Sequence, residues 1–308
     1  MTNQFTGDQA KTEQKITTDK ETAFDPTHYK VAQLQGWNNV APGWRTWWET
    51  FERAAQEVSD RLITLAQLIP GQRVLDIATG IGEPAITAAH RVGTTGQVIA
   101  LDLASEMVAI AEERATALGL RNITFSTCDA EHLNLLESTF DAVLSRWGLM
   151  FLPNLVPALN GMRRQLKVGG RLAAAVWSTA AKAPAVGLPS IIVGRHLQLP
   201  PPAPGTPGPF SLADSSALTH TFVQAGFSDV QSEPMTILWE FATAEDYTRF
   251  HQAIAAPVKA MIAHLSPEHQ SQIWQEITEA ARHYETSDGS VQVPGELICV
   301  VGRRSREG

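Results

Sequence analysis

The sequence predicts an α/β fold: a mostly parallel sheet with helices on both faces, plus a helical cap. Three observations carry this. Segments such as 74–78 and 98–101 are almost unbrokenly apolar, as strands buried on both faces are. Stretches with helical apolar spacing separate them, so the order runs strand, helix, strand. Gly and Pro punctuate the junctions, at Pro70-Gly71, Gly119 and Gly169-Gly170.

Each element follows from local pattern. Residues 1–25 are rich in Thr, Lys, Gln, Asp and Glu and are expected to form a disordered tail. Residues 26–48 hold Trp37, Trp44, Trp47 and Trp48 and are expected as an aromatic lid, or as rings packed on the domain. A nucleotide-binding core is assigned to 49–180. It opens with an amphipathic helix over 49–68, whose apolar residues include Phe51, Ala54, Ala55, Val58, Leu62 and Leu65. Strands follow at 74–78, 98–101, 123–128, 140–144 and 172–176. Between them lie a short helix from Pro84 to His90, a helix after Ser105 and a helix over 153–166. The second of these carries Met107, Ala111, Ala115 and Leu118 on one face.

Past residue 180 the alternation stops, and 181–290 is assigned to a substrate cap with late core elements. The Pro-rich stretch 199–210 reads as a surface loop. Ser211-Leu-Ala-Asp214 resembles a capping box that opens a helix ending near Gly226. A strand over 230–241 and helices over 243–265 and 266–284 come next. Residues 291–308 are the final strand, at 297–301, and a tail.

Composition narrows the function. A net charge of −8 without a basic run argues against nucleic acid or an anionic membrane surface as partner. Two cysteines, Cys128 and Cys299, give no disulfide framework. There is no charged-then-apolar leader and no apolar run of membrane-spanning length. A cytoplasmic protein without integral membrane association is expected. Nothing in the sequence sets the oligomeric state.

The chemistry concentrates in Val74-Leu-Asp76-Ile-Ala78-Thr-Gly80-Ile-Gly82-Glu-Pro84, a strand running through a glycine turn into a helix. Such a turn lets backbone amides approach a ligand. Asp102 ends the next strand, 20 residues beyond Gly82, where a carboxylate can accept from ribose hydroxyls. Gly80-x-Gly82-x-x-Ala85 also fits a dinucleotide fingerprint, so an NAD-dependent oxidoreductase has to be weighed. Asp76 argues the other way. A carboxylate beneath the turn suits a cationic sulfonium with an ammonium group better than a pyrophosphate. Asp129, after the third strand, can accept an adenine amino group.

With these motifs the sequence resembles the class I S-adenosylmethionine (SAM)-dependent methyltransferases. The likeness is strongest to the group of ubiquinone/menaquinone-biosynthesis C-methyltransferases and related natural-product methyltransferases, over about residues 36–178. It departs from the family's Asp-x-Gly-x-Gly-x-Gly pattern at Ala78, which replaces the first glycine. The resemblance implies a Rossmann-like, seven-stranded sheet with an antiparallel last strand. It implies SAM as cofactor, held by Asp76, Ala78, Thr79, Gly80, Gly82, Asp102, Leu103, Met107, Cys128, Asp129, Ala130 and Ser145. Asp102 falls on the ribose, Met107 under the adenine, and Ser145 beside the methionine end. Methyl transfer to an O or C nucleophile of an apolar small molecule needs no metal, and no metal cluster is expected. A domain that binds SAM or a partner without turnover is the alternative.

Acceptor-side candidates are Trp44, Trp147, Met150 and Phe151, the last three just beyond the fourth strand. Tyr247 and His251 share a helix face and are candidate bases, against an ordinary surface or capping role. Arg146 is read either as a clamp for a substrate anion or as a salt-bridging residue.

Overall fold

A computed structural model describes residues 24–203 and 205–306. The tail expected over 1–25 therefore lies, except for Phe24 and Asp25, outside the described residues. The chain runs α1 (Pro26–Leu65), β1 (Arg73–Ile77), α2 (Ala85–Val92), β2 (Gln97–Asp102), α3 (Ser105–Ala117), β3 (Ile123–Thr127) and β4 (Phe140–Arg146). It continues through α4 (Leu155–Gln165), β5 (Leu166–Trp177), α5 (Pro184–His196), α6 (Ser215–Gln224) and β6 (Ser228–Phe241). Helices α7 (Ala244–Ile254), α8 (Ala256–Ile262) and α9 (Pro267–Arg282) lead to β7 (Val291–Arg303).

The seven strands form one sheet in the order β3-β2-β1-β4-β5-β7-β6. The first five are parallel, and β7 inserts antiparallel between β5 and β6. The expected Rossmann-like architecture is present. Chain order reverses between β1 and β4, and the loops leaving the carboxyl ends of these neighbours diverge to opposite faces. That crevice is where open α/β sheets bind ligands. In β1, β4 and β5, Val74, Leu75, Ile77, Val143, Leu144 and Val176 are all fully buried.

Several elements differ from the sequence reading. The aromatic segment and the following helix are one helix, α1, opened by Asp25, whose carboxylate accepts from the Thr27 amide. Pro42 lies inside it, and the helix continues through. Gly43 makes its packing possible, because a Cβ there would overlap the Ala253 carbonyl at the end of α7. Helix α5 is absent from the sequence reading, since Pro184 and Pro189 break the helical pattern. Helix α6 is capped by Asp214, which accepts from the amides of Ser216 and Ala217. Ser211 is not the cap; its hydroxyl donates to the Met150 carbonyl at 2.9 Å. The helix expected over 243–265 is two, because Pro257 in the first turn of α8 has no N–H to continue α7. Leu118 is 54% exposed and does not belong to the buried face of α3.

Candidate active site

The crevice above β1 and β4 opens into a cleft of about 260 Å³. Its first half is built by the turn after β1. Thr79 donates its amide to the Leu101 carbonyl, which ties the turn to β2. Gly80 has φ +56° and open space on the side where a Cβ would stand, so its backbone faces the cleft bare. Gly82, at φ +107°, has a different duty. A Cβ there would meet Ile86 at 2.9 Å and Ala111 at 3.3 Å, so it lets α2 and α3 close on the turn and does not line the cleft.

Asp102 locks this turn. Its carboxylate accepts the Gly80 amide at 2.7 Å and the Ala104 amide at 2.9 Å. Burial raises its pKa, and these amides pull it back. A carboxylate has about four acceptor positions, so two remain for a diol. Beneath the turn, Asp76 is fully buried with both oxygens unbonded, and the hydroxyls of Thr79 and Ser145 are likewise buried and unbonded. Burial pushes the Asp76 pKa up to about 8, against the pull of the neighbouring Thr79 hydroxyl and then of the Arg146 guanidinium. Unsatisfied groups of this kind are rare in folded proteins, and their grouping marks a site made for a polar ligand.

The rim is closed from α1. Lys30 Nζ lies 2.7 Å from Asp129 Oδ2 and 2.5 Å from Glu131 Oε2, with the His132 ring also on Asp129. Burial opposes the Lys30 charge, but the two carboxylates outweigh it and raise its pKa. Tyr29, Lys30, Gln33, Trp37 and Trp44 of α1 all line the cleft. Nothing in the sequence singles out Lys30; only the return of α1 over the β3 loop brings it there.

The second half is aromatic. Phe51 of α1 sits edge-to-face among Trp44, Trp147 and Trp239, with ring centroids 4.6, 5.5 and 5.0 Å away. Trp147 stacks on Trp177 at 4.4 Å and 11°. Ala78 and Trp147 both take positive φ, at +57° and +60°. The backbone after β4 presses on the turn after β1 here, and a Cβ on Gly148 would stand 2.5 Å from that of Ala78.

Of the sequence-predicted residues, the cleft gathers Ala78, Thr79, Gly80, Asp102, Leu103, Met107, Cys128, Asp129 and Ala130 on one side. It gathers Trp44, Trp147, Met150, Phe151 and His251 on the other. Asp76, Gly82, Ser145 and Tyr247 do not line it. Tyr247 is fully buried, and its hydroxyl lies 3.2 Å from the carbonyls of both Pro184 and Ala185. That spends the group on holding α7 to α5. The anion clamp considered for Arg146 is also ruled out. Both its Nη atoms bond Glu52, at 2.6 and 2.9 Å, and Nη1 bonds Ser59 Oγ and the Ala55 carbonyl as well. Sequence reasoning missed Trp177, which ends β5, and Trp239 in β6. The first could have been found by extending the strand-end rule to β5.

A family model described as a methyltransferase domain matches residues 69–192. Over this stretch the chain is similar to methyltransferase domains. It is similar to aklanonic acid methyltransferase DauC of Streptomyces sp. (strain C5), 37% identical over 128 residues, which cover 40% of this chain and 58% of that one. It is also similar to the ubiquinone/menaquinone biosynthesis C-methyltransferase UbiE of Cellvibrio japonicus, 40% identical over 103 residues, 33% of this chain and 41% of the relative. The chain thus spans about half the length of the curated relatives it matches. Among solved structures, the YcgJ protein from Bacillus subtilis aligns with a TM-score of 0.54 at 18% identity. It covers 82% of this chain and all of that one, a likeness of fold. The glycine turn, Asp102 and the buried unbonded Asp76 all lie inside the matched methyltransferase segment and fit SAM. No described helix is long and apolar enough to cross a membrane.

Proposed function

We propose that the protein is a SAM-dependent methyltransferase that methylates an O or C nucleophile of an apolar small molecule of quinol, polyketide, terpenoid or alkaloid type. The observation that carries this is one cleft with two unlike halves: a glycine turn with carboxylates on one side, and a wall of indole rings on the other. SAM supplies an activated methyl on a sulfonium, ready for in-line displacement. The protein's own task is alignment and exclusion of water.

In this reading Asp102 accepts from the ribose hydroxyls through its free lone pairs. Met107 lies under the adenine, and Asp129 with Ala130 meets its edge. Thr79 faces the methionine end, and Asp76 and Ser145 lie buried beneath it, where the ammonium and sulfonium charges favour the ionised form of Asp76. Helix α1 covers the cofactor with Lys30, Trp37 and Trp44. Residues 26–48 act as the lid and 181–290 as the acceptor cap on a core of 49–180. The aromatic half takes the acceptor beside Trp147, Met150 and Phe151. A cytoplasmic, small-molecule biosynthetic enzyme without a nucleic-acid partner fits the acidic charge. DauC and UbiE, both named as methyltransferases, support the reaction class. Calorimetric titration with S-adenosylhomocysteine, the product of methyl transfer, tests the reading. Binding in the micromolar range or tighter is expected, and its absence from folded protein would contradict it.

A further inference from the structure

Outside the sheet, the segment 181–290 contributes eight residues to the cleft: Val186 and Ser190 from α5, Pro209, His251 and Ile254 from α7, and Ala255, Pro257 and Val258 around the start of α8. Six of these are apolar. The two polar side chains are Ser190 and His251.

His251 is held in one tautomer. Its Nε2 lies 2.9 Å from the Ala185 carbonyl, which can only accept, so Nε2 carries the proton. Nδ1 is then a bare lone pair. Among the described residues no protein group bonds it, and it is not among the sealed, unbonded atoms either. The ring is clamped between Tyr247 and Phe250, with centroids at 4.4 and 5.2 Å. Tyr247 holds the same turn of α5 through the Pro184 and Ala185 carbonyls, so the ring's direction is fixed from both sides. Burial pushes the His251 pKa down to about 3, which keeps the ring neutral and accepting through the physiological range.

A fixed acceptor in an apolar wall disfavours any ligand that leaves it unbonded and favours one that brings a donor. We infer that His251 Nδ1 selects acceptors bearing a hydroxyl on a flat aromatic ring, which it bonds and orients while the ring lies against the Trp147–Trp177 stack. This rests on the methyltransferase reading only for the meaning of the site. The pocket and its preference for a hydroxyl can be measured without turnover.

The test is a pair of probes of equal shape, 2-naphthol and 2-methylnaphthalene, titrated calorimetrically with and without S-adenosylhomocysteine. Wild-type protein is expected to prefer the naphthol by about tenfold, the worth of one hydrogen bond in an apolar pocket. In His251→Phe both probes should bind alike, with homocysteine-nucleoside affinity unchanged, and His251→Gln should restore part of the preference. Ser190→Ala should keep it. Equal binding by wild type, no naphthol binding, or a preference that survives His251→Phe would each overturn the inference. Failure of S-adenosylhomocysteine to bind, with the naphthol preference intact, would instead remove the methyltransferase reading and leave this one standing.

Discussion

The two halves of the cleft are made in different ways. The half proposed to hold the cofactor, from β1 to the loop after β3, takes its residues from sites adjacent in sequence to strand ends. The aromatic half, proposed to take the acceptor, assembles Trp44 and Phe51 from α1, Trp177 from β5, Trp239 from β6 and His251 from α7, spread over about two hundred residues. The first is a local design on a general sheet. The second exists only once α1 and the cap have docked, so it depends on the contacts that dock them.

Breaking the dock should give the largest effect. Arg146→Ala leaves Glu52 buried without a partner and should cost about 3–5 kcal/mol in urea unfolding. The paired change Arg146→Met with Glu52→Leu should recover most of that. A single-site cost under about 1 kcal/mol would show that α1 is held without help from this ion pair.

Asp76, beneath the glycine turn, and His251, in the aromatic half, titrate with opposite signs. Folded Asp76 has a pKa raised from 3.8 to about 8, so between those values the folded state holds the extra proton and stability falls as pH rises. Folded His251 has a pKa lowered from 6.5 to about 3, so the unfolded state holds the extra proton in that window. Its contribution is full above pH 6.5 and is lost as pH falls toward 3. Each group changes the slope by at most about 1.4 kcal/mol per pH unit. Urea midpoints from pH 4 to 8 should show Asp76→Asn relieving the alkaline loss and His251→Phe relieving the acid loss. The same slope in both variants would place the titration elsewhere.

Smaller effects probe the backbone. Gly43→Ala should push α1 off α7 and cost about 1–3 kcal/mol, visible as a lowered melting temperature. Ala78→Gly should relieve a left-handed Ala and raise stability by up to about 1 kcal/mol. A fall in melting temperature there would mean that chain entropy outweighs the strain.

This contrast also explains what the sequence reveals. The parallel strands, the glycine turn and Asp102 are legible because each writes its role within a few residues. Ala78 shows the limit of pattern: it fills a glycine position, and the structure still puts it at φ +57°. Helix α5 is hidden because prolines at 184 and 189 erase its period, although packing makes it helical. Lys30, Trp239 and the pairing of Arg146 are invisible for a different reason. Their partners lie 99, 188 and 94 residues away, at Asp129, Phe51 and Glu52, and no local spacing encodes such pairs.

The β1 turn and Asp102 are proposed to hold the nucleoside of SAM. The most direct test is calorimetric titration of wild type and Asp102→Ala with S-adenosylhomocysteine at one pH and salt concentration. Wild type should bind at about micromolar or tighter, roughly −8 kcal/mol, and the variant at least about tenfold more weakly while remaining folded. Equal affinity in both proteins would contradict the assignment of Asp102, and no binding by the wild type would contradict the site itself.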